Sequence, residues 1–189
     1  MAIKAGFALC GSLCTFSKVI PQMEELKEAG IDVVPIMSYN AYDIDTRFGK
    51  AKDFIDRIEK ITGNEVIHTL TAAEPIGPKK MIDALIIEPC TGNTLAKLAS
   101  GIADTPVTLA AKSNLRNGNP VIIAISTNDA LGNAAKNIGL LLNSKNVYFV
   151  PFRQDDCVNK PTSIVADFTK TKDTFLNAVV GKQVQPIII

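Results

Sequence analysis

Four short polar clusters stand where apolar runs stop: Gly11-Ser12, Ser38-Tyr39-Asn40, Thr91-Gly92-Asn93-Thr94 and Ser126-Thr127-Asn128-Asp129. They are rich in hydroxyls and carboxamides and carry no lysine or arginine. Residues of these types at a helix start leave main-chain N–H groups, and the positive end of the helix dipole, directed at whatever lies in front of them. Such a site takes an anion without a cationic side chain, and a phosphate monoester suits it well. One cluster alone is an ordinary cap or turn. The chemistry requires that at least two of them share a ligand.

The elements that would bring them together follow from periodicity. Ile3 to Cys10 is a short apolar run broken by Gly11-Ser12, and Phe16, Val19, Ile20, Met23, Leu26 and Ala29 then recur at helical spacing. Gly30 closes that helix and Ile31 to Met37 reads as a second strand, which completes a βαβ unit. Ser38 to Arg47 is polar, aperiodic and too long for an ordinary connection. A helix is predicted over Phe48 to Ile61, a short strand over Val66 to Leu70, and a central buried strand over Ala84 to Pro89, where the proline is expected to stop the ladder.

Helices are predicted over Leu95 to Ile102 and from Thr105-Pro106 to Leu115, then a strand over Pro120 to Ile125. Ser126 to Asp129 reads as the cap of a helix over Ala130 to Leu142, and Val147 to Val150 as a last strand. Pro151 to Pro161 reads as irregular, Ile164 to Val180 as a final helix, and the apolar end of Gln183 to Ile189 as docked. This alternation predicts a single three-layer α/β domain over residues 1–189, with a doubly wound parallel sheet of the Rossmann-like or flavodoxin-like kind. Ligands on such sheets sit outside the carboxyl ends of the strands, where the four clusters fall.

Other chemistries lack their residues. A dinucleotide fingerprint needs further glycines after Gly11, where Ser12-Leu13-Cys14-Thr15 follows, and a phosphate-binding Gly-Lys-Ser/Thr is missing because Gly49-Lys50 leads into Ala51 and Gly181-Lys182 into Gln183. Twenty basic against nineteen acidic residues, in no like-charged block, leave nucleic acid without a footprint. Cys10, Cys14, Cys90 and Cys157 with the lone His68 make no zinc set, so no metal is expected and the cysteines read as reduced thiols. No apolar stretch would span a bilayer and no cleavage-type segment follows Met1 to Leu9, so a cytoplasmic chain with no membrane partner is expected.

The opening strand, Gly11-Ser12 and helix, with Pro89-Cys90-Thr91-Gly92-Asn93-Thr94-Leu95-Ala96-Lys97-Leu98-Ala99 and Gly101-Ile102-Ala103-Asp104, resembles the flavoprotein family of homo-oligomeric flavin-containing cysteine decarboxylases. The resemblance implies FMN, with Gly11, Ser12 and Ser38 on its phosphate side, Asn40 beside them, and Thr91, Gly92, Asn93 and Thr94 against the ring. Ser126 and Asn128 complete the expected cofactor set. Asn40 to Gly49, Ser126 to Gly132, Gln154-Asp155-Asp156 and Gly181-Lys182-Gln183 resemble a branch of this family over nearly the whole chain. That branch implies oxidation of a dihydrodipicolinate-type precursor to dipicolinate during sporulation, in company with a separate nicotinamide-binding chain that holds NAD(P). The alternatives are a flavin-dependent decarboxylase and a non-catalytic structural or regulatory partner of that nicotinamide-binding chain.

A dicarboxylate substrate calls for an arginine able to grip a carboxylate bidentately. Arg47, Lys112, Arg116 and Arg153 fall near predicted loops or helix ends, and Arg47 is the first candidate. His68 reads as structural, and no residue is assigned as catalytic. A homo-oligomer is expected from the resemblance and from the lean charged surface.

Overall fold

Strand β1 (Lys4–Leu9) and strand β2 (Asp32–Met37) run parallel, with Lys4 opposite Asp32 and Leu9 opposite Met37, and helix α1 (Phe16–Glu28) crosses between them. In this computed structural model, which describes residues 3–189, the apolar stripe of α1 is buried as its spacing predicts: Phe16, Val19, Ile20, Met23 and Leu26 are solvent-free. Strand β3 (Ala84–Cys90) pairs on the other side of β1, strand β4 (Val121–Thr127) beside β3, and strand β5 (Val147–Phe149) beside the first half of β4, all parallel. All seven residues of β3 are buried, as both faces of a central parallel strand must be.

Helices fill both layers: α2 (Tyr39–Asp43), α3 (Ala51–Thr62), α4 (Leu70–Ala73), α5 (Gly92–Ala99), α6 (Pro106–Arg116), α7 (Ala135–Leu142) and α8 (Thr171–Ala178). Caps fix their starts. Thr105 and Thr108 form a reciprocal box at α6, with Pro106 in the first turn. Gly63 ends α3 at φ +73°, a conformation that favours glycine.

The largest departure from the sequence reading is an antiparallel hairpin, strands β6 (Phe152–Asp156) and β7 (Lys160–Ala166), in place of an irregular segment and the start of a helix. Ile164, Val165 and Ala166 are strand residues. Asp167 then accepts from the Thr169 amide, which begins the turn into α8, so the final helix starts at Thr171. Strand β7 pairs with the last two residues of β4, Ser126 opposite Val165 and Thr127 opposite Ile164. The sheet therefore has seven strands in the order β2-β1-β3-β4-β7-β6, with β5 on the first half of β4.

That pairing also revises the cap assigned to Ser126 to Asp129. Ser126 and Thr127 extend β4, the Asp129 carbonyl accepts from the amides of Gly132 and Ala134, and α7 begins at Ala135 instead of Ala130. Smaller differences have local causes. Thr46 and Gly49 close a turn, so α3 starts at Ala51, not Phe48. Ser38 caps the five-residue α2 inside the expected loop. Thr91 caps α5 three residues earlier than Leu95. Val66 to Leu70 reduces to one bridge, Ile67 to Ile36. Pro89 does not end β3, which continues to Cys90 across an irregular step in its pairing with β4. The tail docks as expected: Gln183 donates to and accepts from the main chain of Phe149, and Ile189 donates to Phe152.

Among the described residues one buried charge-bearing group sits in this core. The Glu88 carboxyl near the end of β3 is solvent-free, accepts from the Thr171 hydroxyl at 2.6 Å through Oε2, and has no partner at Oε1. Burial pushes it up from an ordinary 4.5 to about 8, with the Thr171 bond opposing the rise. The unfolded chain releases this proton near 4.5 and the folded chain keeps it to about 8, so stability falls as pH rises through that window, by at most about 1.4 kcal/mol per pH unit. The Glu88→Gln variant is expected to lose this decline, measured as urea unfolding free energy from about pH 5 to about pH 8.

Candidate functional site

Strand β1 has β2 on one side and β3 on the other, reached by crossovers in opposite directions. This is the switch point at which a crevice opens outside the strand ends in a doubly wound sheet. The segment after β1 turns at once: the Ser12 amide donates to the Cys10 carbonyl at 2.8 Å, and the Thr15 hydroxyl donates to the Ser12 carbonyl at 2.7 Å. The Ser12 side chain is thereby aimed across the crevice, where its Oγ lies 3.1 Å from Ser126 Oγ at the end of β4. Two clusters 114 residues apart meet through this contact.

Behind this pair opens a cavity of about 1130 Å³. Gly11, Ser12, Thr91, Ser126 and Asn128 all line it, so three of the four clusters contribute. The fourth stands alongside. A Cβ on Gly11 would lie 3.3 Å from Asn40 Cβ, and the Ser38 amide donates to the Leu9 carbonyl, which sets Ser38 and Asn40 beside the Gly11 turn. Thr46 and Phe48 reach the cavity, whereas Arg47 between them is outside its lining, with its guanidinium 4.9 Å from the Phe48 ring centre.

The Thr91–Thr94 segment divides. Thr91 faces the cavity while Thr94 is buried and points inward, its hydroxyl donating to Cys10 Sγ at 3.2 Å and lying 3.2 Å from Thr91 Oγ1. Gly92 and Asn93, whose amides have no intrahelical partner at the start of α5, open onto a neighbouring hollow of about 430 Å³ with Asp129 and Lys136. The backbone approach there is close. A Cβ on Gly92 would stand 2.7 Å from Asp129 Oδ1 and 2.8 Å from Thr127 Oγ1, two atoms already bonded to each other at 2.6 Å.

The two buried thiols nearby, Cys10 and Cys90, are inert. Burial pushes Cys10 up to about 11 against the Thr94 bond, and burial with the neighbouring Cys10 raises Cys90 well above the ordinary thiol range, so neither is a thiolate at neutral pH. His68 stacks on the Tyr42 ring at 3.7 Å and its Nδ1 lies 3.2 Å from the Val66 carbonyl oxygen, outside the cavity lining. Its environment is that of a packed side chain. Among the described residues no helix is long and apolar enough to cross a membrane.

The Flavoprotein family model matches residues 2–185. The chain belongs to the Flavoprotein family. Within this family it is 44% identical to the dipicolinate synthase B subunit of Bacillus subtilis (strain 168) over 186 residues, 98% of this chain and 93% of that protein. The crystal structure of the dipicolinate synthase B subunit from Bacillus halodurans is similar over 100% of this chain and 98% of its own, with a TM-score of 0.92 at 43% identity. The FMN-dependent cysteine decarboxylase SpaF shares the fold at a TM-score of 0.69 and 22% identity, over 95% of this chain and 98% of its own. The resemblance read from the sequence is borne out, and so is the α/β fold.

Sequence reasoning named Arg153 among the candidate cations but missed the hairpin that carries it. Residues of the β6–β7 hairpin, including Arg153, Asp155 and Ser163, line the same cavity, as do Lys18 and Gln22 of α1. The Gly92 contact gives a direct check on the rim. Gly92→Ala is expected to push Asp129 off Thr127 and cost about 1–3 kcal/mol of unfolding free energy, read from denaturant midpoints.

Proposed function

We propose that this flavoprotein is the FMN-binding component of a dipicolinate synthase, an oxidoreductase that converts a dihydrodipicolinate-type dicarboxylate to dipicolinate during sporulation. Nicotinamide is held by a separate chain. The observation that carries this reading is the Ser12–Ser126 hydroxyl pair in the lining of a cavity large enough for a mononucleotide, on the switch point of the sheet. The names of the two dipicolinate synthase relatives and of SpaF support it.

Gly11, Ser12, Ser38 and Asn40 hold the phosphate in this reading. Absence of a Cβ at Gly11 lets the main chain come close, and the hydroxyl of Ser12 exchanges its partner Ser126 for a phosphate oxygen. Thr91 borders the ring with Ser126 and Asn128, Gly92 and Asn93 face the adjoining hollow, and Thr94 fixes that segment through Cys10. Aromatisation of the substrate ring releases two electrons and two protons. Bound flavin supplies the two-electron acceptor, and the chain's own residues orient the substrate and exclude water from the cleft. The chain works as a homo-oligomer, and the exposed Leu131, Leu140 and Leu142 around α7 supply apolar surface for it.

Recording the visible spectrum of the purified chain mixed with FMN tests the reading. Binding should shift the flavin bands, and Ser12→Ala should weaken it about tenfold or more, the worth of about 1.5–3 kcal/mol for a hydrogen bond to a charged group. A chain that binds no flavin yet activates a nicotinamide-bearing partner would replace this reading with a regulatory one. Carbon dioxide released from a cysteinyl peptide would replace it with a decarboxylase.

A further inference from the structure

Beyond the serine rim the cleft runs on between α1 and the β6–β7 hairpin, and its two walls each carry a cation that forms no ion pair among the described residues. Arg153, Val165 and Ser126 are direct neighbours across β6, β7 and β4, so their side chains share one face of the sheet. All three line the cleft. At about 4.8 Å per strand the Arg153 backbone lies about 10 Å from that of Ser126, near the span of a small ring with a carboxylate on each side. Lys18 of α1 lines the same cleft.

Neither Lys18 nor Arg153 has a carboxylate within 4.0 Å among the described residues. The nearby acids are committed elsewhere. Asp155 binds Lys160 at 2.8 Å, and Asp167 accepts from the amide and hydroxyl of Thr169. The same lining contains an unsatisfied acceptor. Gln22, one turn after Lys18, is only 9% exposed and donates to the Lys18 carbonyl at 3.2 Å, but its Oε1 is buried without a partner. A buried carbonyl oxygen in this state gains from any donor that a ligand brings to it.

We infer that Lys18 and Arg153 hold the two carboxylates of a small planar dicarboxylate in this cleft, with Gln22 Oε1 accepting an N–H or O–H from it. The inference rests on the proposed function, whose substrate is such a dicarboxylate, and moves its recognition from Arg47 to residues that line the cavity. Arg153 suits the role because its planar fork matches a carboxylate in two bonds, and Lys18 supplies a point charge.

Calorimetric titration of the full chain, in a phosphate-free buffer, tests this with pyridine-2,6-dicarboxylate, pyridine-2-carboxylate and inorganic phosphate, each with and without FMN. The dicarboxylate should bind about tenfold or more tightly than the monocarboxylate. Arg153→Gln and Lys18→Gln should each remove most of that preference, and Arg153→Lys should restore part of it. Flavin affinity should stay unchanged in the first two variants. Lys52→Gln, which breaks only a surface pair with Asp56, should behave as the parent chain.

Unchanged dicarboxylate binding in both charge variants overturns the inference. So does a loss of FMN or phosphate affinity in place of dicarboxylate affinity, which would assign these cations to the flavin phosphate. A chain that binds flavin but no dicarboxylate overturns this inference and leaves the proposed function standing. A chain that shows the predicted dicarboxylate preference but binds no flavin supports the site and refutes the flavin reading.

Discussion

The site depends on parallel strands ending together, so that uncharged donors from distant parts of the chain must face one crevice. A single hydroxyl or amide holds an anion weakly in water. Several fixed in advance, with their own competing bonds limited to one another, form a receptor whose ordering cost was met on folding. The contact between Ser12 and Ser126 expresses this condition: the two hydroxyls meet each other, and both are positioned by strands that the hydrophobic core locks in register.

The edge of β4 extends the same constraint into a cleft. Its first half pairs with β5, and its last two residues pair with β7. A purely parallel sheet would end at the rim. Here the antiparallel hairpin continues past it and builds a wall, tied down where the Thr162 hydroxyl donates to the Asn128 carbonyl at 2.6 Å. The cavity is therefore polar and hydroxyl-lined at the strand ends and charged toward the hairpin, two environments suited to two different parts of a reaction.

Much of this was legible in the residues. The strands β1 to β4 are near-continuous apolar runs because both faces are covered, and Thr91, Thr105 and Gly63 mark helix ends by side-chain or backbone chemistry that acts locally. The hairpin was not legible. Arg153, Gln154 and Asp155 are exposed and show no apolar alternation, and the contacts that make them strand come from residues in a different part of the segment. For the same reason Ser126 and Thr127 read as a helix cap, when their partners in β7 make them strand. The resemblance set Thr94 against the ring, and a hydroxyl's bond to a thiol 84 residues away, here Cys10, leaves no local mark in the sequence. Lys18 and Gln22 carried a faint signal: they stand four apart beside the apolar stripe of α1, the spacing that places two side chains on one helix face.

The most direct test of the central claim is a crystal structure of the chain with FMN. The account predicts the phosphate within hydrogen-bond distance of Ser12 Oγ and the main chain at Gly11, with the Ser12–Ser126 contact broken. A phosphate lodged instead in the hollow of Gly92, Asp129 and Lys136, with the two serines still bonded to each other, would contradict it.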